Sequence, residues 1–141
     1  MELDAIIHRL RPEHADLLAG FADSPERAGL VGHREPLVWS AALLETMQGC
    51  ELCWAEIDLY TLRGLLYGAM SWVIDAVPED PLAVARELEA LVRYVARTDE
   101  MLDAIACQEY LASDRAGPDI AAWIAPMEHG LPPAPRVAGL G

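Results

Sequence analysis

Residues 50–77 read CELCWAEIDLYTLRGLLYGAMSWVIDAV, and residues 81–112 read PLAVARELEALVRYVARTDEMLDAIACQEYLA. In the first stretch Leu52, Ala55, Leu59, Leu62, Leu66, Ala69, Val73 and Ala76 recur at alternating three- and four-residue steps, the period of a helix with one apolar seam. In the second, Val84, Leu88, Leu91, Val95, Leu102 and Ile105 mark a buried face, with a kink expected where Thr98 and Asp99 interrupt it. Between the two, Pro78-Glu79-Asp80-Pro81 supplies a turn, with Asp80 as N-cap and Pro81 at the first helical position. Two long helices joined by so short a turn must run antiparallel. The fold class expected is all-α: a helical bundle built on the hairpin of 50–77 and 81–112, with shorter helices laid across it.

Toward the N-terminus the same signals continue at shorter range. Leu3 to Leu10 carries Ile6, Ile7 and Leu10 on one side, and Pro12 opens a second short helix reaching Phe21. Ser24-Pro25 repeats the pairing of N-cap and first-position proline. From Pro36 a helix carries Leu37, Ala41, Leu44 and Met47 on one stripe, with Gly49 as a candidate break. Near the other end Gly117-Pro118 introduces a last helix over 119–124. Residues 1–130 read as one helical domain and 131–141, with its prolines, as a flexible tail. Leu and Ala far outnumber Val, Ile and Thr, and no stretch alternates as a strand does.

Composition narrows the function. The chain has 141 residues, 53% of them hydrophobic, which is enough apolar surface to offset the entropy of ordering most of it. Its cations are ten Arg with no Lys, against 23 Asp and Glu, for a net charge of -13. Binding to duplex nucleic acid or to an anionic membrane surface needs a cationic face, so neither is expected. The acidic start Met1-Glu2-Leu3-Asp4 does not resemble a secretory leader, and three Cys suit a reducing compartment, so a cytoplasmic protein is expected.

Three patterns carry chemistry. Cys50-Glu51-Leu52-Cys53, after a glycine, places a Cys-x-x-Cys at a helix start, where unpaired backbone amides and the helix dipole favour a thiolate. The run 49–53 resembles the alkylhydroperoxidase-D-like (carboxymuconolactone decarboxylase) family, which implies an all-helical, oligomeric, thiol-dependent redox enzyme using Cys50 and Cys53. The family's histidine four residues after the second cysteine is Ile57 here, and the neighbouring Glu56 is acidic. Whether Cys50 acts as the attacking thiol turns on Gly49. If the helix breaks there the pair can react; if it continues, both thiols are ordinary. The spacing of Met47, Cys50 and Trp54 predicts continuity.

The second pattern is Glu100-Met101-Leu102-Asp103, with Asp99 adjacent and Glu56 and Asp58 on the other long helix. It is similar to the acidic pairs with which all-α MazG-like pyrophosphohydrolases bind magnesium. The paired glutamates expected one helix earlier are not found, because Glu87 and Glu89 are two apart and cannot share a face. The third is Arg27 and His33, whose spacing is similar to that of helical HEPN-type ribonucleases but falls in a glycine-interrupted segment. His8, His14 and His129 lack a ligand-like partner at helical spacing.

Each catalytic set is incomplete, so the expected function is non-enzymatic: an intracellular helical protein acting by self-assembly, as a homodimer, or by binding another protein. No cofactor and no metal are expected. Among the tryptophans, Trp72 reads as core, whereas Trp39 and Trp54 lie off the apolar seam and are expected at an interface. Gly64 and Gly68 join them, since small residues let a neighbouring helix approach closely.

Overall fold

The computed structural model describes residues 3–30, 37–68 and 80–128, with side chains as far as Trp123 in the last helix. Eight α-helices occupy those residues, and no strand is found among them. In chain order they are α1 (Leu3–Arg9), α2 (Pro12–Ala22), α3 (Pro25–Ala28), α4 (Val38–Gly49), α5 (Leu59–Gly68), α6 (Pro81–Thr98), α7 (Ala104–Ala112) and α8 (Ala116–Glu128). The expected tail, 131–141, lies outside the described residues.

The all-α architecture is organised around α6, which packs against α3, α4, α7 and α8. Its N-terminus forms as the sequence dictates: the Asp80 carboxylate accepts the Leu82 N–H at 3.0 Å, and Pro81 occupies the first turn. Val84, Ala85, Leu88, Leu91, Val92 and Val95 are buried along it, while Arg86, Arg93 and Arg97 stay outside. The other central helix, α4, is buried without interruption from Val38 to Leu44, as expected of a helix enclosed on all sides. Around this pair, α1 packs on α4, α5 bridges α4, α7 and α8, and α3 seals the far side of α6. At α3 the Ser24 hydroxyl accepts the Arg27 N–H at 3.1 Å, and Glu26 forms a two-pronged ion pair with Arg97 of α6. Gly20 of α2 lies against the ring of Tyr94, where a Cβ would collide with the phenol hydroxyl.

The expected long hairpin is replaced by shorter helices at both arms. Its first arm does not begin at Cys50: α4 ends there, residues 51–58 form a turn with a short 3-10 segment at Trp54–Glu56, and helix resumes only at Leu59. The reason lies in the α4 terminus. Glu51 adopts a left-handed φ of 56°, its N–H reaches the Gln48 carbonyl at 3.1 Å, and the Leu52 N–H reaches the Met47 carbonyl at 3.0 Å. This pair of bonds is a Schellman motif, which closes a helix by consuming its last carbonyls. Leu52 then packs onto the core. Gly49, the candidate break, is an ordinary helical residue, and a glutamate occupies the position usually given to glycine. Residues 69–77, the end of that arm, lie outside the described residues.

The second arm breaks at 99–103. Side chains there compete for backbone groups: the Thr98 hydroxyl donates to the Tyr94 carbonyl at 2.8 Å, and Asp99 accepts the Glu100 N–H at 2.8 Å. Asp103 accepts the Leu59 N–H at 3.3 Å, fastening the break to the start of α5. Helix α7 therefore restarts with a new rotational phase. Its inward residues are Cys107, Tyr110 and Leu111, whereas Leu102 and Ile105, expected on the buried face, are 64% and 74% exposed.

Candidate functional site

The break between α6 and α7 opens a shallow groove of about 500 Å³. Three alanines contribute to it, Ala55 from the turn before α5, Ala96 from the end of α6 and Ala104 from the start of α7. Met101 and Leu102 add larger apolar surface, and Asp99 and Glu100 are its charged members, with no cation among the lining residues. Ile105 stands exposed one step beyond Ala104. Small side chains leave the backbone accessible to a close neighbour, and two projecting aliphatics offer it apolar area. The C-terminal end of α6 adds the negative pole of a helix dipole to the two carboxylates.

Next to this groove lies the cysteine turn. Cys50 and Cys53 are both exposed and unbridged. Cys50 follows the last residue of α4: helix runs through Gly49, as expected, but stops there instead of continuing to Trp54, and the dipole end that Cys50 meets is the negative one. Cys53 precedes the 3-10 segment, and both its N–H and its S–H donate to Glu56 Oε1, at 3.0 and 3.1 Å. Those bonds, the backbone one foremost, hold the Glu56 carboxyl below the usual range. Glu56 thus serves as a local cap. Ile57, in place of a family histidine, is fully buried. The third thiol, Cys107, is also fully buried, and burial pushes it up to about 12.

The carboxylates of the second pattern are divided among separate tasks. Asp58 accepts the Thr61 N–H at 2.7 Å in the first turn of α5, which holds it below the usual carboxylate range. Asp103 reaches the same helix start through Leu59, while Asp99 and Glu100 face the groove. Among the described residues, no group of three or more His, Cys, Asp or Glu is placed to hold a metal ion. The expectation that Glu87 and Glu89 point to different faces agrees with the structure. Glu89 pairs with Arg93 at the surface, whereas Glu87 is fully buried.

Glu87 takes a role that the sequence reading did not assign. Its Oε2 accepts both the backbone N–H and the hydroxyl of Ser40, each at 2.7 Å. Ser40 lies in the first turn of α4, where backbone N–H groups have no acceptor within the helix. A carboxylate from α6 therefore caps α4 from inside the core, and the preceding residue, Leu37, enters with a left-handed φ of 78°. A signal existed: position 87 lies on the stripe defined by Val84, Leu88 and Leu91, where an acid must find a buried donor.

A second unforeseen cluster joins α5, α7 and α8. The Tyr110 hydroxyl donates to Asp119 Oδ2 at 2.6 Å, and Arg63 reaches the same oxygen at 3.5 Å. Arg63 and Arg115 both stand over the Tyr110 ring, 5.3 and 5.8 Å from its centre. Burial foremost, with the Asp119 bond, raises the phenol above its usual range. The arrangement ties Arg63 of α5, Tyr110 of α7 and Asp119 of α8 together, with the buried Arg63 Nε left without an acceptor among the described residues.

The remaining candidates are dispersed. Trp39 and Trp54, expected at an interface, are only 5% and 4% exposed, so the core of this one chain already uses nearly all of both rings. The Trp54 indole N–H has no acceptor among the described residues. Gly64 is exposed with open space at its Cβ direction, and Gly68 lies against the Thr46 methyl. The backbone N–H of Arg27 serves the Ser24 cap, and its expected companion His33 lies outside the described residues, as do His129 and Trp72. His8 is exposed, and partial burial lowers His14. No helix among the described residues is long and apolar enough to cross a membrane. Comparisons with protein-family models, curated proteins and solved structures found no match, so any functional reading rests on this chain's own residues.

Proposed function

We propose that this chain is a non-catalytic helical domain that acts by binding another protein, through the groove at the α6–α7 break. The observation carrying the proposal is the exposure of Leu102 and Ile105 beside that groove, 64% and 74%, where the other large aliphatics among the described residues are mostly enclosed. Covering two such side chains is worth roughly 3–5 kcal/mol before the entropic cost of association, enough to anchor an interface. A homodimer is the other occupant of the same surface. It would set Asp99 and Glu100 of one copy near those of a second, so a heterologous partner is the favoured case. Three unbridged thiols fit a reducing cytoplasmic setting.

The thiol-dependent and magnesium-dependent alternatives draw less support. The first lacks an activating helix start at Cys50, and the carboxylates needed by the second are already committed to capping α5 or are spread along the groove.

Site-specific photo-crosslinking tests the proposal. A benzophenone amino acid at Leu102 should give a discrete adduct, and the same probe at exposed Glu13 on α2 should not. An adduct of twice the chain mass assigns the surface to self-assembly, and a different mass to a heterologous partner. Equal labelling from both positions, or none from Leu102, would refute it.

A further inference from the structure

We propose that the groove selects a partner segment that is both aliphatic and cationic, an amphipathic helix bearing Lys or Arg beside its apolar face. This rests on the interaction reading above and adds the chemistry of the partner. Apolar recognition comes from Met101, Leu102 and Ile105, while the three alanines let a helix backbone approach. The charged lining is all of one sign, Asp99 and Glu100, and the C-terminal pole of α6 has the same polarity. The nearest cation on α6, Arg97, is engaged by Glu26 on α3. An apolar segment flanked by acids would meet repulsion here, and a neutral one would bring no charge opposite to the two carboxylates. A segment with cations one turn from its aliphatic residues satisfies both, and the net charge of -13 accelerates its encounter.

The experiment uses the full chain and two synthetic amphipathic helices, one built of Leu and Lys and the other of Leu and Glu, followed by fluorescence anisotropy at low and high salt. The Leu/Lys peptide should bind and the Leu/Glu peptide should not. Leu102→Ser with Ile105→Ser should weaken binding by about a hundredfold or more, the loss of two buried aliphatic contacts at about tenfold each. Asp99→Asn with Glu100→Gln should weaken it severalfold and flatten its salt dependence. Glu13→Gln with Asp16→Asn, exposed acids on α2, should leave it unchanged.

Binding of the Leu/Lys peptide that ignores Leu102 and Ile105, or falls equally with the α2 substitutions, would show attraction to net charge alone and overturn the inference. Equal binding of the two peptides would overturn cation selection. If neither peptide binds while the Leu102 crosslink forms, the partner chemistry is wrong and the interaction reading survives. If the crosslink fails as well, both fall.

Discussion

Replacing Glu51 by glycine should stabilise the protein, although it removes a side chain and adds none. Glu51 is the left-handed residue of the Schellman turn that ends α4, at φ 56°. An L-residue there suffers crowding between its Cβ and the backbone worth roughly 1–2 kcal/mol, and glycine removes it. Against that gain, glycine makes the unfolded chain more flexible, at a cost of roughly 0.5–1 kcal/mol. Removing an exposed negative charge from a helix C-terminus helps in the same direction as the strain relief, but weakly, because water screens it. The net is about 1 kcal/mol of added stability, which for a domain of this size raises Tm by about 4 °C. Glu51→Ala is the control. It removes the charge while keeping the Cβ, and should change stability by less than about 0.5 kcal/mol. Urea unfolding followed by circular dichroism measures both variants, with equal m-values required for the comparison. If Glu51→Gly is no more stable than Glu51→Ala, backbone strain at this turn does not limit stability, and the account of why α4 ends here is wrong.

Other consequences follow from the buried groups. Native protein should react with a thiol reagent at two sites, Cys50 and Cys53, and at Cys107 only after unfolding. Because the folded Cys107 thiol is raised to about 12 while the unfolded thiol ionises near pH 8.5, its contribution to stability is complete below about pH 8.5. Above that it is lost at about 1.4 kcal/mol per pH unit, and Cys107→Ala should flatten this first part of the alkaline decline, read as Tm against pH. Tyr110, also raised, extends the decline at higher pH. Ser40→Ala removes the hydroxyl bond of the two that Ser40 donates to Glu87 and should cost about 1–2 kcal/mol, measurable by denaturant unfolding; no change would show that this bond contributes nothing. Leu102→Ser and Ile105→Ser should each shift stability by less than about 0.5 kcal/mol, whereas Leu111→Ala should cost about 2–5 kcal/mol. Similar losses at all three positions would contradict the exposed placement of Leu102 and Ile105.

Much of the helical skeleton was legible because its signals are local. Ser24-Pro25 and Asp80-Pro81 each start a helix through a bond spanning two or three residues, so neighbours in sequence suffice to specify them. The buried face of α6 from Val84 to Val95 was equally readable, since one unbroken helix keeps its phase. Interruptions of phase were not. The seam through Leu52, Ala55 and Leu59 has helical spacing, yet residues 51–58 turn, because closing α4 with Glu51 left-handed lets Leu52 reach the core. Likewise the spacing of Val95, Leu102 and Ile105 suits one helix, but Asp103 bonds to Leu59, 44 residues away, and α7 restarts rotated. The candidate groove is lined chiefly by the residues of that break. Capping of α4 by Glu87 is of the same kind: the acid on an apolar stripe was visible, and its acceptor role required Ser40 to be brought 47 positions along the chain to meet it. Local capping and periodicity thus determined where α3 and α6 begin and which face of α6 is buried, whereas the seating of the 51–58 turn, the exposure of Leu102 and Ile105, and the candidate groove depend on contacts, such as Leu52 on the core and Asp103 on Leu59, that form only when distant helices pack.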